Sequence, residues 1–357
     1  MSLERAIEKY IVTVKSDFFM KYEKEFATTI VDALSNGYNN GYNEPDLVKA
    51  IYNEIIANNN LKVKNNVEIS TNSVFIHGTG KRSQVEFKRY GKTEPSELGD
   101  LIFIISVIYN KVKYFEKITI CQFKKDKKIG ISWDLSKKEQ LYLLSRFPTF
   151  KGVQGSIVPM KEFNLPNYSG CLGSYGLLFK PGDFTFVSAT ELDSFIGAKN
   201  HLSQNDLYYL QNIPGYCYNP FLSLFYDPRM VYDFFMHYGY NWLWQRDVFN
   251  NYLHAHNVYD FSHKYLTMSI GEPTSLVRAS NLQARSFLKD LLFSLEKRTV
   301  KKTDDESKRF KEFINDFNKY YYEKPEESDK PNKLTEESDF GEDGDIGIVY
   351  TTIDLGE

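Results

Sequence analysis

The chain has 357 residues, of which 42% are hydrophobic and 25% are charged, and its formal net charge is -3 at pH 7. This is the composition of a globular protein, and its length predicts two domains, or one large domain with an appendage, around a sizeable core. The three cysteines, Cys121, Cys171 and Cys217, are far apart and form no CxxC pair, which argues against a zinc ribbon, a thioredoxin-like motif and a secreted disulfide scaffold.

The N-terminal segment and the hydropathy pattern indicate a cytoplasmic protein. The sequence is charged from Glu4 onward, so no signal peptide is recognisable. Its longest apolar run, residues 101–109, has about half of the roughly 20 residues that a membrane-spanning helix needs. We therefore expect no membrane partner.

Acidic residues are concentrated towards the C-terminal end. Residues 323–357 contain 12 acidic and 3 basic side chains, so the rest of the chain carries a net charge of +6. A basic body with an acidic tail suits a polyanionic partner. Two interpretations of the tail stay open: it lies over the basic body and mimics nucleic acid, or it is a solvating disordered linker. In the first case, truncation before Glu323 should raise the affinity for nucleic acid.

The N-terminal part of the chain changes from helical to strand periodicity. Apolar residues recur at three- and four-residue steps over residues 3–34 and 44–58, which predicts two amphipathic helices on either side of a Gly- and Asn-rich turn. Beyond them, a period of two predicts short strands at residues 67–69, 73–76 and 84–88.

Two continuous apolar runs follow, at residues 101–109 and 117–123. Both runs are rich in branched residues and short for helices, which is typical of strands buried on both faces. A helix is predicted over residues 136–145, where Ser136 and Glu139 have the spacing of a capping box. This order of elements indicates an α/β core.

The C-terminal half is less regular. Strand-like segments occur at residues 175–179 and 184–188, and a mostly helical, aromatic-rich region follows, with helical patterns at 281–297 and 305–322. We predict four parts: an α/β domain with N-terminal helices at 1–200, a helical region at 201–322, an acidic flexible linker at 323–345 and a C-terminal strand at 346–357.

Polar residues stand at the ends of the two apolar strands. Glu97 and Asp100 precede the first strand, while Gln122 and Lys124 lie towards the end of the second, on one face because side chains alternate along a strand. If the strands are neighbours, Asp100, Gln122 and Lys124 converge at one sheet edge. Carboxylate and amide oxygens there can hold Mg²⁺, and a lysine can orient the attacking water and stabilise charge on a phosphate. The alternative is an ordinary ion pair at a strand end.

This arrangement, ELGD before a strand and QFK in the next strand before a helix, resembles the PD-(D/E)xK nuclease superfamily. Gly99 and Asp100 match the PD position, and residues 122–124 match the (D/E)xK tripeptide. Gly99 replaces the proline and Gln122 replaces an acidic ligand, a QxK variant that looks like the Mrr type of restriction enzyme. The resemblance covers residues 73–147 and implies a restriction-endonuclease-like fold, a mixed sheet flanked by helices.

The resemblance also implies a function, that of an endonuclease dependent on Mg²⁺ or Mn²⁺. Its substrate would be DNA, with RNA as the second choice, and its role would be bacterial defence or restriction. Asp100 would bind the metal with Gln122, the main-chain carbonyl of Phe123, and Glu97 as the missing carboxylate, while Lys124 acts on the water and the scissile phosphate. Because Gln122 removes a negative charge, a two-metal mechanism is doubtful. An inactive nuclease-fold module that binds nucleic acid or a protein partner stays open as the alternative.

Further contacts with nucleic acid are expected outside the metal site. Lys81 and Arg82 lie in a basic glycine-containing loop, Lys125 follows the tripeptide, and Gln140 lies on the next helix, where many of these nucleases carry an auxiliary polar residue. The alternatives are an ordinary exposed hairpin turn for the loop and a surface position for Gln140.

A run of lysines is expected around the site and would suit a polyanionic substrate. These are Lys111, Lys113, Lys117, Lys124, Lys125, Lys127 and Lys128. A third interpretation, with no role for nucleic acid, makes the aromatic helical region a binding surface for a second copy of the chain or a partner protein. Core packing is the alternative role of those aromatic residues.

Overall fold

The computed structural model describes residues 2–57, 62–76, 83–127, 132–167, 170–212, 254–274, 279–299, 304–319, 321–322 and 346–357. The predictions for Lys81, Arg82 and Lys128, for the aromatic stretch from Tyr208 to Tyr252 beyond residue 212, and for the linker at 323–345 lie outside these residues. Across the described ranges, no helix has the length and apolar character that a membrane crossing requires.

Helices occur throughout the described chain. They are α1 (Ser2–Val14), α2 (Asp17–Asn39), α3 (Glu44–Ala57), α4 (Lys138–Arg146), α5 (Ala189–Ile196), α6 (Gln204–Asn212), α7 (Val258–Leu266), α8 (Ala279–Thr299) and α9 (Asp304–Asn318). The helix predicted over residues 3–34 is two helices, because Ser16 caps α2. Its Oγ accepts a hydrogen bond from the Phe19 N–H (3.2 Å) and donates one to the Thr13 carbonyl (2.6 Å), which satisfies a helix start that the apolar pattern hides.

Most of the strands lie between α3 and α5 in the chain. The strands are β1 (Lys62–Lys64), β2 (Val67–Ile76), β3 (Gln84–Arg89), β4 (Lys92–Glu97), β5 (Leu101–Tyr109), β6 (Val112–Lys125), β7 (Ser132–Asp134), β8 (Phe150–Gly152), β9 (Gly173–Phe179), β10 (Asp183–Ser188), β11 (His201–Ser203), β12 (His254–Ala255), β13 (Glu272–Pro273), β14 (Tyr321–Tyr322) and β15 (Ile346–Asp354). The two strands predicted at residues 67–69 and 73–76 are one strand, β2. The capping box predicted at Ser136 is wrong, because Lys137 is the N-cap residue of α4 and makes no side-chain cap.

The main sheet is mixed. Its strand order is β1-β2-β15-β5-β6-β9-β10-β12, and β13 and β14 also pair with β6. The β5–β6 and β2–β15 pairs are antiparallel, whereas β15 runs parallel to β5 and β9 runs parallel to β6. The predicted mixed α/β class is therefore confirmed.

Helices cover both faces of this sheet, which explains the continuous apolar run of β5. Ile102 and Ile104 point to the core shared with α4, α8 and α9, while Leu101, Phe103 and Ile105 point to the core shared with α1, α2, α3 and α7. Every residue of β5 is buried. A strand with water on one side would alternate with polar residues instead.

The strand β15 lies in the middle of the sheet, between β2 and β5. Its side chains are buried from Ile346 to Ile353, so these residues are part of the core and not of an acidic tail. The division into four parts stays a prediction, and β12 and β13, which come from the region predicted to be helical, pair with β10 and β6 of the main sheet.

Candidate active site

The antiparallel pairing of β5 with β6 brings the predicted site residues together. Leu101 pairs with Cys121, so Asp100, directly before β5, lies beside the end of β6, and its N–H donates to the Cys121 carbonyl (2.9 Å). Gly99 approaches the same strand with a φ of +156°, and a Cβ there would lie 2.8 Å from Ile120 Cγ2. Proline, whose φ is held near -65°, cannot adopt this backbone, which gives a physical reason for glycine at this position.

Asp100 is the centre of a short hydrogen-bonded chain. Its Oδ2 accepts from Gln122 Nε2 (2.5 Å) and from the Phe123 N–H (2.6 Å). Gln122 Nε2 also lies 3.2 Å from the main-chain oxygen of Phe123. A carboxylate, an amide and a main-chain carbonyl thus converge on one point at the end of the two strands.

Gln140 extends this chain into α4. Its Nε2 donates to Gln122 Oε1, and its side chain is buried, so the alternative of a surface glutamine is wrong. Gln140 Oε1 has no hydrogen-bond partner within the described part of the chain. A buried amide oxygen without a donor costs free energy. Gln140 Oε1 is therefore an unused hydrogen-bond acceptor at one end of the hydrogen-bonded side chains.

Lys124 is held by a carboxylate that the sequence analysis missed. Its Nζ lies 3.2 Å from Glu44 Oε1, and Glu44 Oε2 accepts from the Lys125 N–H (2.7 Å). Glu44 is the first residue of α3, where acidic side chains are common because they favour the positive end of the helix dipole. That ordinary role leaves no specific signal in the sequence for its position beside Lys124.

Glu97 is not part of the hydrogen-bonded chain formed by Asp100, Gln122 and Gln140. It ends β4, in a separate sheet with β3 and β8, and its Oε2 lies 3.8 Å from Lys137 Nζ. Its influence on the site is electrostatic, because its charge raises the pKa of Asp100. The expected role of Glu97 as a replacement metal ligand stays a prediction.

Burial raises the pKa of Asp100 to about 7. The nearby Lys124 ammonium and the hydrogen bond from the Phe123 N–H oppose this shift, whereas the charges of Glu44 and Glu97 add to it. Near neutral pH the carboxyl is therefore balanced between its two protonation states, a condition that is common at functional sites.

The predicted lysine cluster around the site is wrong for several members. Lys113 and Lys117 are buried in the sheet, and Lys111 lies in the hairpin turn at the opposite end of β5 and β6. Burial lowers the pKa of Lys117 to about 8, which the charge of Glu272 opposes. Lys125 is near the site, with its Nζ bonded to the Tyr42 carbonyl.

The oxygen donors near Asp100 suit a divalent cation bound by few protein ligands. No group of three or more His, Cys, Asp or Glu side chains in the described ranges is arranged to hold a metal ion. Mg²⁺ is nevertheless often held by one or two carboxylates, with water and substrate phosphate as the remaining ligands. Asp100 and the Phe123 carbonyl are hard oxygen donors of this kind, and Glu44 is a second carboxylate nearby.

The orientation of the Gln122 amide determines whether these residues can bind a cation. Its nitrogen now faces Asp100 and the Phe123 carbonyl, and a half-turn of the amide would turn its oxygen towards them instead. After the same rotation of Gln140, the Oε1 that lacks a donor would accept from Gln122 Nε2. The residues therefore fit a single divalent cation with few protein ligands, and not a two-metal site.

No family model, curated protein or solved structure matches the chain. Asp100, Gln122 and Gln140 form one hydrogen-bonded chain, and Lys124 with Glu44 stands next to it.

Proposed function

We propose that this protein is a metal-dependent nuclease that hydrolyses phosphodiester bonds, with DNA as its principal substrate. One observation carries the proposal: Asp100 Oδ2, the Gln122 amide and the Phe123 carbonyl meet within hydrogen-bond distance at the end of two buried strands. Burying polar side chains beside a lysine costs free energy of folding, so stability alone does not explain this arrangement. The restriction-endonuclease-like fold and a role in bacterial defence are parts of the same proposal.

Each residue has a distinct task in this proposal. Asp100, when deprotonated, supplies the negative charge that holds Mg²⁺ or Mn²⁺, and Gln122 and Phe123 supply neutral oxygens. The chemistry that the cation contributes at such a position is Lewis-acid polarisation of the phosphate. Lys124 orients the attacking water and stabilises the charge that develops on the phosphate, and Glu44 positions its ammonium group.

A cleavage assay tests the proposal. Plasmid DNA, single-stranded DNA and RNA are incubated with Mg²⁺ or Mn²⁺, or with EDTA, and with wild type, Asp100→Asn, Lys124→Met and the control Lys21→Met. Lys21 is an exposed lysine near the start of α2, paired with Glu25 and not among the lysines expected around the site, so its variant should cut normally. We expect cutting to require metal and to fall at least about 100-fold in the two site variants. Equal cutting by Asp100→Asn and wild type would refute the site.

A second candidate function is a non-catalytic module that binds nucleic acid or a protein partner. The position of Gln122 favours it, because an amide nitrogen satisfies Asp100 and the Phe123 carbonyl without any cation. Such a module should retain DNA in a gel shift, cut none of the substrates, and show no Mn²⁺ binding that depends on Asp100 in calorimetry. A homodimer, or a partner protein bound through the region after residue 200, stays a prediction.

A further inference from the structure

The hairpin between β3 and β4 presents an exposed tyrosine that its turn does not require. The Tyr90 side chain is 82% exposed, and its φ of +49° lies in the left-handed region, followed by Gly91 at +81°. Two-residue hairpin turns of this type favour Asn-Gly, and a bulky residue in the left-handed region is uncommon. Neither burial nor turn geometry therefore accounts for an aromatic ring at this position.

Aromatic rings and guanidinium groups alternate beside Tyr90. Its ring centroid lies 5.7 Å from that of Tyr142 on α4, and the Arg89 guanidinium lies 5.4 Å from the Tyr90 centroid and 5.5 Å from the Tyr142 centroid. Arg146 lies 5.4 Å from the Tyr142 centroid on the same helix. Phe87 stacks on Tyr142 and is itself buried, so the array rests on the core. We call Arg89, Tyr90, Tyr142 and Arg146 the base-stacking surface.

The charge at the tip of the hairpin suits a phosphate backbone. The five residues from 88 to 92 read KRYGK, and both lysines are exposed. Two carboxylates balance the arginines, because Glu94 lies 3.2 Å from Arg89 and Asp193 lies 3.5 Å from Arg146. Lys88 and Lys92 are therefore the cations most accessible to a polyanion, with the aromatic rings between and beside them.

The base-stacking surface is joined to the candidate active site by two elements. The helix α4 carries Tyr142 and, two residues earlier, Gln140, which bonds to Gln122. The strand β4 runs from the tip to Glu97, three residues before Asp100. At roughly 3.4 Å per residue, the six residues of β4 span about 20 Å, which is the length of about six stacked nucleotides.

We propose that the base-stacking surface binds unpaired bases, so that single-stranded nucleic acid, or the single-stranded part of a partly paired molecule, is the substrate class of the nuclease. The inference rests on the proposed function and adds the form of its substrate. In a duplex both faces of each internal base are covered by neighbours, whereas in a single strand a base face can lie on an exposed tyrosine ring. The lysines at the tip and the guanidinium edges then contact the flanking phosphates.

The test measures binding separately from cleavage. Full-length Asp100→Asn protein in EDTA is titrated into fluorescein-labelled 20-nucleotide single strands of DNA and RNA and into the blunt DNA duplex of the same sequence. We expect tighter binding of the single strands, and a loss of about tenfold or more when Tyr90→Ser is added. Tyr90→Phe should retain the affinity, because it keeps the aromatic face.

Tyr259→Ser is the matched control. Tyr259 is also an exposed tyrosine, but α7 packs on the opposite face of the main sheet, so single-strand affinity should not change. Equal affinity of Tyr90→Ser and the parent for single strands, or equal losses in the Tyr90→Ser and Tyr259→Ser variants, would overturn the inference, as would a preference for the blunt duplex.

The two proposals can fail independently. If wild type cuts with metal but Tyr90→Ser leaves single-strand affinity intact, the proposal for the base-stacking surface is wrong and the proposed nuclease activity is supported. If Tyr90→Ser lowers single-strand affinity but wild type never cuts, the protein binds single strands through this surface without cleaving them. Because Tyr90 is exposed, its variants should fold, and an unchanged circular dichroism spectrum and urea midpoint check this.

Discussion

Glu44 Oε1 lies 3.2 Å from Lys124 Nζ, although the two residues are 80 positions apart in the chain. This contact ties the first turn of α3 to the end of β6 and gives the lysine of the candidate active site a fixed counter-charge. A lysine side chain has many rotamers, so loss of the carboxylate should disperse its ammonium group away from the phosphate position.

Replacing Glu44 tests this positioning role. For Glu44→Gln we expect the cleavage rate at saturating Mg²⁺ to fall about tenfold, with the half-saturating Mg²⁺ concentration unchanged. Glu54→Gln, on the same helix, is the control and should cut at the wild-type rate. A rise in the half-saturating concentration alone would instead make Glu44 a metal ligand.

Asp100 should lower the stability of the protein at alkaline pH. Its pKa in the folded protein, about 7, lies above the ordinary value of 3.8, so its favourable contribution is complete below about pH 4 and is lost as the pH rises through 7. Without divalent cations, Asp100→Asn should therefore raise the free energy of unfolding at pH 8, on the order of 2 kcal/mol, and less at pH 5. Urea unfolding at the two pH values measures this, with the exposed Asp32→Asn as the control. A gain that is larger at pH 5 would contradict the prediction.

Gln122 should control metal affinity. Gln122→Glu places a second carboxylate where an amide nitrogen now lies 2.5 Å from Asp100 Oδ2. The two charges repel without a cation and share it when one binds, so the rise in Tm on adding Mn²⁺ should be several degrees larger than in wild type. Gln122→Met, which offers no oxygen, should show a smaller rise than wild type, and equal rises in both variants would place the cation elsewhere.

Glu116 is predicted to stabilise the sheet without any role in cleavage. Its carboxylate accepts from Ser106 Oγ (2.7 Å) and Thr274 Oγ1 (2.7 Å) and lies 3.3 Å from the buried Lys113 Nζ. Glu116→Gln leaves the Lys113 ammonium buried without its counter-charge, which should lower the free energy of unfolding by about 3 kcal/mol. The exposed Glu312→Gln should change it by less than about 0.5 kcal/mol. Urea unfolding measures the loss in each variant. Similar losses for Glu116→Gln and Glu312→Gln would count against the prediction.

The acidic segment needs a different experiment from truncation. Cutting the chain before Glu323 would also remove β15 from the middle of the sheet, so any change in nucleic-acid affinity would reflect misfolding. Replacing the acidic residues between 323 and 345 by their amides keeps the strand. If this segment mimics nucleic acid, the variant should bind single-stranded DNA more tightly, and unchanged affinity would favour a solvating linker.

Local patterns in the sequence predicted those parts of the fold that depend on local physics. The run at residues 101–109 has the bounds of β5, because burial on both faces leaves no polar residue inside it. The meeting of Asp100 with Gln122 also followed from the sequence, since two strands joined by a short turn pair with each other. The break at Ser16 was missed because the apolar periodicity continues across it.

Contacts between distant segments could not be predicted in this way. Nothing near Lys113 in the sequence shows that the Phe317 carbonyl will accept its hydrogen bond, so this buried lysine was predicted to belong to the basic cluster around the site. Glu44 looked like any acidic residue at a helix start. Glu97 was close to Asp100 in sequence, but it belongs to another sheet, where Lys137 is its partner.

The central place of β15 also determines when the sheet can be completed. During synthesis the ribosome adds roughly 240 residues after the start of β5 before β15 is made, which takes about 10–50 s at ordinary rates. Throughout that interval β2 and β5 lack their shared neighbour, and β5 is an apolar strand with an open edge, the kind of surface that promotes aggregation. We expect the nascent chain to depend on chaperones until β15 inserts between β2 and β5 and completes the sheet.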